Sequence, residues 1–70
     1  MIKLRENNGY IDLTGLWRIY TWTDDLYNST YYRIELYLGH NRSTTIAYES
    51  KSNRDEDYEL LISEYSKNSQ

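Results

Sequence analysis

Cysteine, proline and phenylalanine are all missing from the 70 residues, and glycine occurs only three times. The lack of cysteine excludes disulfides and thiolate metal ligands, the usual staples of small secreted scaffolds. Gly9, Gly15 and Gly39 fall in separate candidate turns, so no glycine-rich phosphate loop exists. No apolar run exceeds three residues, as in Leu60-Leu61-Ile62, which is too short for a membrane span or the core of a signal peptide. A soluble chain with a cytoplasmic location is the expectation. At this length one domain, residues 1–70, is expected, burying only about 60% of its unfolded surface. So thin a core would benefit from oligomerisation or a bound partner.

What the chain does have is tyrosine: nine of them, with Trp17 and Trp22 beside them. These side chains combine apolar bulk with a polar tip, and serve equally at the rim of a small core and at a recognition surface. Charge is unevenly placed. Residues 1–51 carry Glu6, Asp12, Asp24, Asp25, Glu35 and Glu49 against Lys3, Arg5, Arg18, Arg33, Arg42 and Lys51, which cancel. The remainder carries Asp55, Glu56, Asp57, Glu59 and Glu64 against Arg54 and Lys67, and so accounts for the whole net charge of −3.

Ile2 and Leu4 alternate with Lys3 and Arg5, and Asn8-Gly9 supplies residues suited to a type I′ hairpin turn. Ile11 and Leu13 then share the inner face of a return strand, ended by a bend or bulge at Thr14-Gly15. Residues 16–23 form a third strand, with Trp17 and Ile19 on one side and Arg18, Tyr20 and Trp22 on the other. Residues 24–29 hold turn formers at both ends and predict a loop. From Thr30 to Leu38 the inward set Tyr32, Ile34, Leu36 and Leu38 alternates with Tyr31, Arg33, Glu35 and Tyr37. A turn at Gly39 to Arg42 leads into Ser43 to Glu49, with Thr44, Ile46 and Tyr48 inward. After Ser50 the period changes. Tyr58, Leu61, Ile62 and Tyr65 fall at helical spacing, Ser52 with Asp55 or Asn53 with Glu56 fit a capping box, and Asp55, Glu56 and Asp57 fall in a first turn. This predicts a helix over about residues 53–66, with residues 67–70 frayed.

In sequence order this is an α+β fold: a small twisted antiparallel β-sheet of about five short strands over residues 1–50, packed by one C-terminal helix. An SH3-like half-barrel is the alternative arrangement of the same strands.

No residue constellation points to catalysis. His40 is the sole histidine and sits in a turn with no partner singled out. Asp24-Asp25 and Asp55-Glu56-Asp57 lack the donor spacing and central glycine of a calcium loop. The sequons Asn28-Ser29-Thr30 and Asn41-Arg42-Ser43 would meet no glycosylation machinery in the cytosol. No cofactor, metal or small-molecule substrate is therefore expected.

The outward strand faces carry the most information. Arg18, Tyr20 and Trp22 on one strand and Tyr31, Arg33 and Tyr37 on another are residue types enriched at interface hot spots. Leu60 projects from the helix on the side away from the sheet, among Glu56, Ser63, Glu64 and Lys67. A small non-enzymatic protein-binding module, adaptor or inhibitor, of the kind found among bacterial, phage or mobile-element accessory proteins, is the expectation, with a homodimer as a further one. Aromatic and arginine side chains on a strand face also describe a single-stranded nucleic-acid platform, but a sequence pI near 4.9 argues against it. A purely structural homo-oligomer is the third reading. Met1-Ile2-Lys3-Leu4, the Asn8-Gly9 turn, Ile34-Glu35-Leu36, the turn at Gly39 and the closing acidic helix together resemble the layout of short flagellar-operon proteins and other small sheet-plus-helix bacterial proteins. The Trp/Tyr-rich middle departs from that layout, and the resemblance implies no function.

Overall fold

The computed structural model describes residues 1–68. Five strands and one helix follow in order: β1 (Ile2–Lys3), β2 (Tyr10–Ile11), β3 (Leu16–Leu26), β4 (Ser29–Leu38), β5 (Arg42–Tyr48) and α1 (Lys51–Asn68). The fold is α+β and its pairings are antiparallel. The strands divide into two sheets rather than the single sheet expected: β1 pairs with β2, and β3, β4 and β5 form a three-stranded sheet with β4 at its centre.

Alternation along β4 is the ordering signal. Ile34 and Leu36 are fully buried and Leu38 nearly so, while Tyr31, Arg33, Glu35 and Tyr37 stay half-buried on the opposite face. Cross-strand partners share a face, so Ile34 meets Ile46 and Leu36 meets Ile19 on the inner side. Helix α1 covers that side with Leu61, which is wholly buried, and Tyr58 and Tyr65 pack around it. Leu4, Ile11, Leu13 and Leu16 complete the core from the small sheet and its exit. Thr44 lies on the inner side as expected but remains exposed near the end of β5.

Three local expectations along the strands are corrected. The first turn closes two residues early: Glu6 and Asn7 have φ of 57° and 62°, the Asn8 N–H donates to the Arg5 carbonyl, and Gly9 follows at φ 78°. Asn8 and Gly9 are therefore not its central residues. Asp24 and Asp25 lie in β3, not in a loop, because each acidic side chain finds a partner across the hairpin: Arg33 at 2.9 Å and Thr30 at 2.8 Å. Only Tyr27 and Asn28 connect β3 to β4. Trp17 is not an inner-face residue, since the β3–β4 register shifts between Leu16 and Arg18, and this bulge sends Trp17 outward while Leu16 and Ile19 both face the core.

The helix begins at Lys51, with Ser50 as its cap: the Ser50 hydroxyl accepts from the Asn53 N–H at 3.3 Å. The first turn holds no acidic residue, so Asp55, Glu56 and Asp57 lie deeper in the helix than expected. The helical stripe also extends toward the N-terminus through Asp57 and Arg54, both buried. At the other end Lys67 and Asn68 belong to the helix, and Ser69 and Gln70 lie outside the described residues. No helix among the described residues is long and apolar enough to cross a membrane.

Candidate functional site: the outer face of the sheet

The β3–β4 register places Arg18 opposite Tyr37, Tyr20 opposite Glu35, Trp22 opposite Arg33 and Asp24 opposite Tyr31. All six strand residues expected at a recognition surface therefore share the face that α1 does not cover. The face is built from two stacked units. In the first, the Arg18 guanidinium lies 5.0 Å from the Tyr20 ring centre and 5.5 Å from that of Tyr37, and the two tyrosines stack at 6.2 Å. In the second, Arg33 lies 5.6 Å from the Trp22 ring and 5.9 Å from that of Tyr31, while its Nε donates to Asp24.

Glu35 ties the two tyrosines of the first unit together. Its carboxylate accepts from the Tyr37 hydroxyl at 2.5 Å and from the Tyr20 hydroxyl at 2.8 Å. Those bonds, Tyr37 first, hold the Glu35 carboxyl below its ordinary range. The bonds to Tyr37 and Glu35 push the Tyr20 phenol upward.

Trp17 and Glu35 belong to this face and were not among the expected site residues. Trp17 packs on Tyr37 with ring centres 5.4 Å apart, its Nε1 donates to the Gly39 carbonyl at 3.3 Å, and it is 57% exposed. A signal was present: apolar Leu16 and Ile19 are three apart, which two-residue alternation cannot place on one face without an extra residue between them. Arg33 is less accessible than expected, its side chain being 22% exposed within the Asp24 and Trp22 contacts. Arg18, Trp17 and Trp22 are the accessible parts of the face. Leu60 is exposed but does not join it, because α1 lies on the inner side of the sheet.

A second polar cluster ties the β1–β2 loop to the start of the helix. Glu6 accepts from the N–H groups of Glu49 (2.7 Å) and Ser50 (3.2 Å) and from the Asn53 amide (2.7 Å). Arg5 pairs with Glu56, and its main-chain N–H donates to Asp57 at 2.9 Å. The concavity beside these groups, lined by Lys3, Arg5, Glu6 and Asn53 among others, is about 720 Å³. Its polar groups bond to one another, so this cluster reads as a structural junction. Arg54, buried beneath the sheet, donates toward the carbonyls of Trp22 (3.3 Å) and Arg33 (3.5 Å) and stacks on Tyr32, supporting the outer face from behind. Sequence reasoning missed these residues because their partners lie far away along the chain. Among the described residues no group of three or more histidine, aspartate or glutamate side chains is placed to hold a metal ion.

Comparison with protein-family models, with curated proteins and with solved structures finds no match in any of the three.

Proposed function

We propose that this chain is a small, non-enzymatic, cytosolic protein-binding module that engages a partner protein through the outer face of β3 and β4. One observation carries the reading: the register collects Arg18, Tyr20, Trp22, Tyr31, Arg33 and Tyr37 on a single uncovered face. Rigid aromatic rings with arginine between them supply large contact area at low entropic cost, the composition of interface hot spots. Local neutralisation favours a protein over a phosphate chain as the occupant. Arg33 is paired with Asp24, and Glu35 sits in the middle of the face, so little positive charge is left to attract a nucleic-acid backbone.

The test is affinity capture with the tagged full chain and with a variant carrying Trp17→Ala, Arg18→Ala and Trp22→Ala, whose fold is checked by circular dichroism. A protein recovered by the parent and lost by the variant supports the reading, with single changes weakening purified partner binding by about 2 kcal/mol at a hot spot. Recovery that disappears on nuclease treatment, or that the triple variant retains, overturns it.

A further inference from the structure

β3 is an edge strand. It pairs with β4 on one side and, among the described residues, with no strand on the other. The two-residue connection makes Leu26 and Ser29 a hydrogen-bonded pair, and alternation then turns the main-chain groups of Arg18, Tyr20, Trp22 and Asp24 toward β4. Those of Ile19, Thr21 and Thr23 point out of the sheet. Among the described residues no main-chain hydrogen bond outside the ladder reaches these three. Several usual guards of an open edge are missing too: between Arg18 and Leu26 there is no proline, no lysine and no bulge, and the charges it carries are Arg18, Asp24 and Asp25. The opposite edge differs, since the Asn8 amide donates to the Ala47 carbonyl of β5 and brings the β1–β2 loop against it.

We propose that the free edge of β3 pairs antiparallel with β3 of a second copy of this chain, about a two-fold axis at Thr21. In that register Thr21 faces its own mate, Ile19 faces Thr23, Tyr20 faces Trp22 and Arg18 faces Asp24, with each unlike pair occurring twice. The outward groups of Thr21, Ile19 and Thr23 form about six inter-chain main-chain bonds. Tyr20–Trp22 and Arg18–Asp24 fall at the intervening positions, where opposed Cα atoms come to about 4.5 Å and side chains touch most closely.

Charge selects this register. Two-fold pairings centred on Tyr20 or Trp22 set Arg18 against Trp22 or Leu26, and only the Thr21 centre sets it against a carboxylate. Within one chain Arg18 is stacked on two tyrosines but forms no salt bridge among the described residues, whereas Asp24 already lies in the ladder with Arg33. The inter-chain pair thus completes a charge that the monomer leaves unmatched. The product is a six-stranded sheet in the order β5-β4-β3-β3-β4-β5, with both outer faces continuous on one side and both helices on the other. It stands independently of any further partner on that face.

Analytical ultracentrifugation of the full chain across the micromolar range is the test, and a concentration-dependent dimer is expected. Thr21→Pro removes an N–H that points away from β4, so the monomer keeps its ladder while dimerisation weakens about 100-fold or more. Arg18→Glu and Asp24→Lys each place like charges at both cross-strand positions, and each variant alone is expected to be monomeric. Mixing the two restores opposite charges at both positions and is expected to restore the dimer. A parent that stays monomeric at high micromolar concentration overturns the proposal, as does a Thr21→Pro variant that dimerises like the parent. A mixture of the two charge variants that remains monomeric also overturns it. Should Thr21→Pro fail to fold by circular dichroism, the charge pair alone decides.

Discussion

The Tyr48 hydroxyl donates to Asp57 Oδ2 at 2.7 Å, joining the end of β5 to the middle of α1 inside the core. Tyr48 is 1% exposed and Asp57 3%, and the same carboxylate oxygen accepts the Arg5 N–H. Tyr48→Phe removes one donor from a carboxylate that keeps others, and should cost about 1–2 kcal/mol. Asp57→Ala strands the phenol and the Arg5 N–H together, and should cost about 3 kcal/mol or more. Urea denaturation of the two variants measures both values, and the reverse ranking would mean that the carboxylate is not the hub of the junction.

The same bond makes stability sensitive to alkali. Burial, and then the bond to Asp57, push the Tyr48 phenol well above its ordinary 10.0. Below pH 10 both the folded and unfolded chains keep the proton, so the contribution is constant. Above it the unfolded chain loses the proton and the folded chain does not, so stability falls as pH rises. Melting temperatures followed upward from pH 9 should decline beyond pH 10, and Tyr48→Phe should decline less steeply.

Glu6 acts at the opposite end of the pH scale. Burial raises its carboxyl, but the bonds from the Asn53 amide and the Glu49 and Ser50 N–H groups outweigh that and hold it below 4.5. Its contribution is present above pH 4.5 and is lost as pH falls through the lower folded value. Glu6→Ala should cost about 1–2 kcal/mol at neutral pH, and should flatten the acid limb of the stability curve in a melting series.

Two turns respond in opposite directions to changes at positive φ. Tyr27 has φ 56° at the first connecting position of the β3–β4 hairpin, where glycine is preferred, and it is fully exposed. Tyr27→Gly should stabilise by about 0.5–1 kcal/mol. Gly15 has φ 84°, and a Cβ there would sit 3.1 Å from the Gly39 nitrogen, whose N–H donates to the Gly15 carbonyl. Gly15→Ala should destabilise by about 1–2 kcal/mol. Thermal melts that moved the same way for both variants would contradict the turn geometry.

Neighbouring leucines test the phase of the helix. Leu61 is wholly buried and Leu60 is 42% exposed. Leu61→Ala should cost about 2–5 kcal/mol, and Leu60→Ala less than about 0.5 kcal/mol in the monomer. Equal denaturation midpoints would rule out the packing of α1 on the sheet.

What could be read from the sequence was whatever repeats locally. Alternation over Tyr31 to Leu38 marks both faces of β4, and the spacing of Tyr58, Leu61 and Tyr65 marks the buried side of α1, because each pattern is complete within a few residues. The common face of Arg18, Tyr20 and Trp22 with Tyr31, Arg33 and Tyr37 was legible from the same alternation. Which residue stands opposite which was not, since the register depends on a two-residue connection at Tyr27-Asn28 and on Asp24 and Asp25 being neutralised across the hairpin. Charged groups were hardest to place. Arg54 and Asp57 look like ordinary surface helix residues until Arg5, Tyr48 and the carbonyls of Trp22 and Arg33 arrive from other elements to satisfy them.

The Glu6 and Arg5 contacts with the helix N-terminus bear on how the chain comes apart. A hairpin with only two residue pairs, Ile2–Ile11 and Lys3–Tyr10, has little independent persistence in water. The loop between its strands is held by groups more than forty positions away. Opening the first turn of α1 should therefore loosen the N-terminal hairpin as well, and the two segments are expected to exchange their amide hydrogens together.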